Sequence, residues 1–439
     1  MIIRNNHSVM ALGMAILCLL SAGDLAAQTV DTKAFPRIMS MNIGAKNYDD
    51  PKYLDALSRP DVVILGFYPG WRGKEKKVSM GTVVQAIKQR NPGSLIGQYT
   101  VLSETQDSRD RTNADTDKGN KLDRGGWWLL DAQGKRVQWT EKYNAFETNV
   151  TQWTKPDENG LRYPEWLARR DYSTYFRPEL GFDIWYFDNA LSKPAVKTAD
   201  WNRDGKNDAN DDPEIAIAHR AGHVAEWQQA HELRPDMSLM GNSDDLSSSE
   251  FSGKLHGAFM EGLMGKSYSM ERWQGWEKMM LRYHKTMKHT APPHIVGFNV
   301  WGRDDDYQQM RYGLTSCLLD DGYFSYTDET VGYSSVPWFD EYDVDLGMPV
   351  DPPSLLPWEN GVYRRTYEKG VVLVNPGLLP RTVAMEEGFR RIKGDQAPEV
   401  NDGSDVKSIT LGGKDGIILA KSFKSPLMSP MSPKNLRVH

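Results

Sequence analysis

Gly181-Phe182-Asp183-Ile184-Trp185-Tyr186-Phe187-Asp188-Asn189 is a short apolar run that stops abruptly in an acid and an amide. Aromatic and β-branched residues over so few positions predict a strand, and apolar residues at both parities predict one buried on both faces. By alternation Asp188 shares a face with Ile184 and Tyr186, while Trp185 faces the other way. Seven further runs of this kind occur, at 38–43, 62–67, 94–101, 238–240, 257–260, 295–300 and 323–326. Helix-like segments lie between them at 51–57, 78–89, 163–175, 213–233, 270–287 and 305–319. In the fourth, Ile217, Ala221, Val224 and Ala225 form an apolar stripe behind Pro213. Eight strands alternating with helices predict an α/β fold, a (β/α)8 TIM barrel. A doubly wound nucleotide-binding sheet needs a glycine-rich first turn, and Asn42-Ile43-Gly44-Ala45-Lys46 has no GxGxxG.

The rest of the chain is apportioned around that barrel. Residues 1–27 read as a signal peptide, with Arg4 ahead of an apolar run at 9–22 and small residues at Ala26 and Ala27. This predicts a secreted or periplasmic protein. Cys18 leaves with the signal, so Cys317 stands alone and no intramolecular disulfide forms. The barrel is assigned to 28–335 and a strap with five prolines to 336–357. Short alternating runs at 358–424 predict a small C-terminal all-β, sandwich-like domain, and the Ser-Pro-rich 425–439 a disordered tail. With 39% hydrophobic and 26% charged residues the chain is globular. A net charge of -6 excludes a phosphate-backbone binder, so no nucleic acid partner is expected, and no membrane partner once the signal is cleaved. Oligomeric state is left open.

A barrel enzyme shows its chemistry where strands end at the C-terminal face. Asp188 ends the fourth run and Glu261 follows the sixth, Gly257-Ala258-Phe259-Met260. Two acids on one rim suit glycoside hydrolysis, one ionised at the anomeric carbon and one protonated toward the leaving oxygen. Glu104, Asp244, Asp245, Asp304, Asp328 and Glu329 also follow strands and read as solvated acids or caps. Fourteen Trp and nineteen Tyr are many for a polar chain. An aromatic ring matches the C–H face of a sugar and carries one polar handle. Tyr68, Trp71, Tyr99, Trp127, Trp128 and Trp301 fall at or beyond strand ends, and with the amides Asn189 and Asn242 form the predicted substrate-binding set.

The fourth run, Trp127-Trp128-Leu129-Leu130-Asp131 with Gly134, Glu261, Trp338-Phe339-Asp340-Glu341-Tyr342 with Leu346-Gly347, and Gly370-Val371-Val372-Leu373-Val374-Asn375-Pro376 together resemble hypothetical glycosyl hydrolase family 15. The resemblance covers about residues 36–390 and places the chain near the α-galactosidase and polygalactosaminidase-like barrels. It implies a nucleophile at the end of the fourth strand, here Asp188, and an acid/base on a later strand, here Glu261. Asp183, Asp244 and Glu341 stay open as catalytic partners. The function expected is hydrolysis of O-glycosidic bonds in a poly- or oligosaccharide, retaining if the carboxyls lie about 5 Å apart and inverting if wider. The alternative is a non-catalytic carbohydrate-binding scaffold.

Two further motifs are metal-like. Asp200, Asn202, Asp204, Lys206 (through its carbonyl), Asp208 and Asp211 match the spacing of an EF-hand-type calcium loop, with Gly205 at the turn. Structural calcium is therefore expected, and no organic cofactor. His219 and His223 are spaced like a zinc pair but lack the HExxH glutamate, so catalytic zinc is not expected.

Overall fold

The computed structural model describes residues 34–44, 47–66, 79–107, 116–138, 140–142 and 144–422. The predicted signal and tail, Tyr68 and Trp71 lie outside the described residues. Eight parallel strands follow one another around the sheet in chain order: β1 (Met39–Asn42), β2 (Val62–Leu65), β3 (Leu95–Val101), β4 (Ile184–Asp188), β5 (Ser238–Gly241), β6 (Gly257–Met264), β7 (Ile295–Gly302) and β8 (Tyr323–Asp328). A parallel bridge between Ile38 and Phe324, with Phe324 N–H donating to the Arg37 carbonyl at 2.8 Å, closes the barrel.

Alternation divides each strand between two cores. Met39, Met41, Ile64, Ile184, Tyr186, Met240 and Phe259 fill the barrel. Val63, Leu65, Trp185, Phe187 and Leu239 face the surrounding helices, with the Trp185 ring stacked on Phe176 at 3.9 Å.

Helices α1 (Pro51–Leu57), α2 (Met80–Arg90), α4 (Tyr163–Asp171), α5 (Pro213–Leu233) and α8 (Tyr307–Cys317) form where the apolar spacing predicts them. The segment predicted as one helix at 270–287 is two, α6 (Met270–Gln274) and α7 (Trp276–His289), broken at Gly275 with φ 86°. Another, α3 (Thr116–Gly125), lies in a polar stretch outside the predicted helices. The face expected of α5 is corrected: Ile217 is 50% exposed, and the buried stripe is Ile215, Ala218, His219, Gly222, His223, Glu226, Trp227 and Ala230. The physical reason is close approach, since a Cβ on Gly222 would stand 2.3 Å from the Val150 carbonyl oxygen. Among the described residues no helix is long and apolar enough to cross a membrane.

Five antiparallel strands follow: β9 (Tyr363–Thr366), β10 (Gly370–Asn375), β11 (Arg381–Arg391), β12 (Asp405–Leu411) and β13 (Asp415–Lys421), in the order β9-β10-β13-β11-β12. Val371, Leu373, Val383, Phe389 and Ile409 enclose a core of their own. Val372, Val374 and Ile418 instead join Met310 and Leu314 of α8. The strap contributes Phe339, Tyr342 and Leu346 to that shared core, and Leu346 N–H donates to the Phe35 carbonyl at 2.9 Å.

Candidate active site

Asp188 is the last residue of β4, and the next residue, Asn189, turns the chain at φ 52°, a left-handed conformation that Asn tolerates. Asn242 N–H donates to the Phe187 carbonyl at 2.9 Å, extending the β4–β5 ladder and setting Asn242 beside Asp188. On the other side, the ladder pairs Val101 of β3 with Asp188 and Tyr99 with Tyr186. The Tyr99 hydroxyl donates to Asp188 Oδ2, and its ring stacks on Tyr186 at 5.9 Å.

Glu261 reaches the same place by an irregularity. The β6–β7 register shifts between Met260 and Met264, and Gly262 takes φ 60° inside this bulge while its N–H donates to Asn299 Oδ1 at 3.0 Å. Bulges re-aim side chains near active sites. The Tyr333 hydroxyl donates to Glu261 Oε1 at 2.5 Å. Asn242 Nδ2 then ties the two acids together, donating to Asp188 Oδ1 at 3.1 Å and to Glu261 Oε2 at 3.3 Å. One oxygen of each acid thus meets the same amide nitrogen, so the two carboxylates face one space.

The two carboxyls open on a pocket of about 360 Å3, also lined by Met41, Tyr99, Glu104, Tyr186, Asn189 and Tyr333. Burial raises the Asp188 carboxyl above its ordinary value, and bonds from Tyr99, Asn242 and the Asn189 N–H pull it back. Burial, then the charge of Asp188 for Tyr99 and of Glu261 for Tyr333, holds both phenols well above their usual range, so both stay hydrogen-bond donors. At the edge, Glu104 pairs in register with Glu147, a buried residue whose carboxyl is pushed up to about 8 by burial and by Glu104.

Of the predicted set, Asp188, Glu261, Tyr99, Asn189 and Asn242 come together. The structure takes Trp127 and Trp128 out of the pocket: both are buried in a satellite core with Leu122 and Tyr163, their indole N–H groups donating to the Lys155 carbonyl and Asp123. Trp301 is 8% exposed and supports Tyr333 from behind, ring centroids 5.0 Å apart. Asp183 binds the Ile96 N–H and pairs with Lys88 at the opposite end of the strand. Asp244 holds the Ser192 N–H and hydroxyl, and buried Glu341 accepts from Asn401. Tyr333 and Glu147 were not legible, because neither ends a strand of the barrel. Buried Cys317 has its thiol pushed up by burial.

The matched family model is hypothetical glycosyl hydrolase family 15, over residues 88–371. The chain belongs to this family. Membership makes it a glycoside hydrolase with a carbohydrate substrate. The match spans β3 to β8 and so contains both Asp188 and Glu261. No curated protein matches the chain. Among solved structures, the glycoside hydrolase domain of PelA from Pseudomonas aeruginosa is 14% identical, with 69% of this chain and 99% of that one covered and a TM-score of 0.42. The isomaltulose synthase SmuA from Protaminobacter rubrum is 12% identical, with 88% and 98% covered and a TM-score of 0.49. A debranching enzyme from Nostoc punctiforme is 10% identical, with the same coverage and TM-score.

In the predicted calcium loop, Asp200 accepts from the N–H groups of Asp204 and Gly205, Asn202 from Asp204, and Asp204 from Lys206. Asp208 Oδ2 is buried without a partner, and burial, Asp204 and Asp200 raise its carboxyl. Asp211 is exposed, and among the described residues no three His, Cys, Asp or Glu side chains converge on a metal position. The residues thus fit an ion in part: the loop is wound for one, but its acids are not drawn together. His219 and His223 lie on the buried face of α5 and do not line the pocket.

Proposed function

We propose that the protein is a secreted, retaining glycosidase acting on a poly- or oligosaccharide, with Asp188 as nucleophile and Glu261 as general acid/base. The observation that carries this reading is the single amide of Asn242 bonded to both carboxylates, which supports two acids acting on one glycosidic linkage. Three donors aimed at Asp188 favour its ionised form against burial. An Asp188 oxygen attacks the anomeric carbon as the glycosidic C–O bond breaks and Glu261 gives its proton to the departing oxygen. Glu261 then takes a proton from water, whose oxygen displaces Asp188 from the sugar and restores both acids. We propose also that loop 200–211 takes up calcium, which would neutralise the acids crowded on Asp208.

The test is a screen of glycans against wild type, Asp188→Asn and Glu261→Gln, with the anomer of the first product read by NMR. Glu261→Gln is expected to cost roughly 10²–10⁴ in rate, and Asp188→Asn at least as much. Cleavage undiminished in either variant overturns the assignment, as does an inverted first product. Binding without cleavage favours the scaffold reading.

A further inference from the structure

The pocket has a second half. A cleft of about 450 Å3 shares Asn189, Asn242 and Glu261 with it but not Asp188, and runs on past Tyr268, Trp273 and Arg282. Trp273, on α6, is 76% exposed and Tyr268 is 64% exposed. Two exposed aromatic rings along one polar cleft offer flat apolar faces of the kind a sugar ring packs against. Trp273 is also fixed in place: its indole N–H donates to the Ser267 carbonyl at 2.6 Å, which leaves the flat faces of the ring free to pack. The Tyr268 ring lies over Gly262, next in the chain to Glu261.

We propose that this cleft is the leaving-group subsite and that it holds a pyranose against the face of Trp273, so that the substrate is a glycan in which a sugar, not a small alcohol, departs. The inference rests on the two-carboxylate reading. In that reading the acid/base contacts the departing oxygen and the nucleophile the sugar that stays. The half-cleft lined by Glu261 without Asp188 therefore belongs to the departing side. Asn242, Gln274, Asp244 and Arg282 supply donors and acceptors for hydroxyls at the edge of a ring stacked on Trp273.

The experiment uses the full chain as wild type, Trp273→Ala and Trp273→Phe. The probes are 4-nitrophenyl α- and β-glycosides of glucose, galactose and N-acetylgalactosamine, beside the di- to hexasaccharides of the same sugars. The ratio of kcat/KM on an oligosaccharide to kcat/KM on its aryl glycoside is expected to fall about tenfold in Trp273→Ala and to recover largely in Trp273→Phe. Retention of the oligosaccharides in affinity electrophoresis is measured in parallel, with melting temperatures as the check on folding. An unchanged ratio in an enzyme that cleaves overturns the subsite and leaves the two-carboxylate reading standing. Retention that depends on Trp273 without any cleavage keeps Trp273 as a sugar contact but overturns the leaving-group assignment together with that reading. A wild type that neither cleaves nor retains any probe overturns both.

Discussion

The Tyr99 hydroxyl bonded to Asp188 sets a pH dependence. Burial raises the Asp188 carboxyl, and the bond from Tyr99 is the first of three contacts that lower it. In the proposed mechanism Asp188 works ionised, so activity is expected to rise as pH climbs through its pKa. Tyr99→Phe removes a donor that favours the ionised form. The pKa then moves up and the acid limb of kcat/KM shifts to higher pH. A hydrogen bond to a charged group is worth about 1.5 kcal/mol or more, so kcat/KM at a fixed pH on the acid limb should fall roughly tenfold. A pH–rate profile checks this, and an acid limb that stays put or moves down removes Tyr99 from the tuning of Asp188. Asp188 was legible in the sequence because its apolar strand stops in the carboxylate, and Glu261 as the acid following an apolar run, though its strand continues to Met264 and a bulge aims it. Tyr333 was not, since 72 positions separate it from Glu261 and only the closed barrel joins them.

At the scale of elements, hydrophobic spacing located strands and helices but not their faces in every case. The extent of α5 was plain, yet its inward side carries His219, His223 and Glu226. Burial pushes His219 down to about 3 and Glu226 well up, so both sit buried in their neutral forms, which a hydrophobicity pattern reads as surface. The β6 bulge was equally hidden, because a glycine at φ 60° leaves no periodic mark. Loop 200–211 is the converse case, clear in spacing and only half assembled in space. Adding calcium chloride to chelator-treated protein should release or absorb heat in a calorimeter. At a hundredfold excess over Kd it should stabilise the fold by about 2.7 kcal/mol. Asp204→Ala should abolish both effects. Because Asp208 is held partly toward its neutral form by burial and its acidic neighbours, affinity should weaken as pH falls. Titrations without heat and melting curves unmoved by calcium would end the proposal.

Across the whole molecule, the C-terminal sheet shares the barrel's packing. Tyr363, Tyr367, Val372, Val374 and Ile418 are buried in one cluster with Tyr283, Met310, Leu314 and Cys317 of the barrel's helices. The Tyr367 hydroxyl donates to the Leu318 carbonyl at 2.6 Å, and Arg365, 2% exposed, pairs with Asp321 at 2.6 Å. A Cβ on Gly416 would stand 1.9 Å from Thr315 Oγ1, so the sheet and α8 are in direct contact. Burying each large apolar side chain stabilises by roughly 1.5–3 kcal/mol. Five of them together match the roughly 5–15 kcal/mol by which a whole domain is stable. Ending the chain at residue 357 removes all five and exposes their partners on α7 and α8. It also frees the Leu318 carbonyl and the Asp321 carboxylate that the sheet had bonded. A chain of residues 28–357 is therefore expected to be insoluble, or to lose its cooperative melting by circular dichroism. The full chain carrying Val372→Ala should still melt as one transition, at a lower temperature, because one truncated side chain leaves the interface closed. A soluble 28–357 fragment melting at the full-length temperature would show instead that the barrel stands alone.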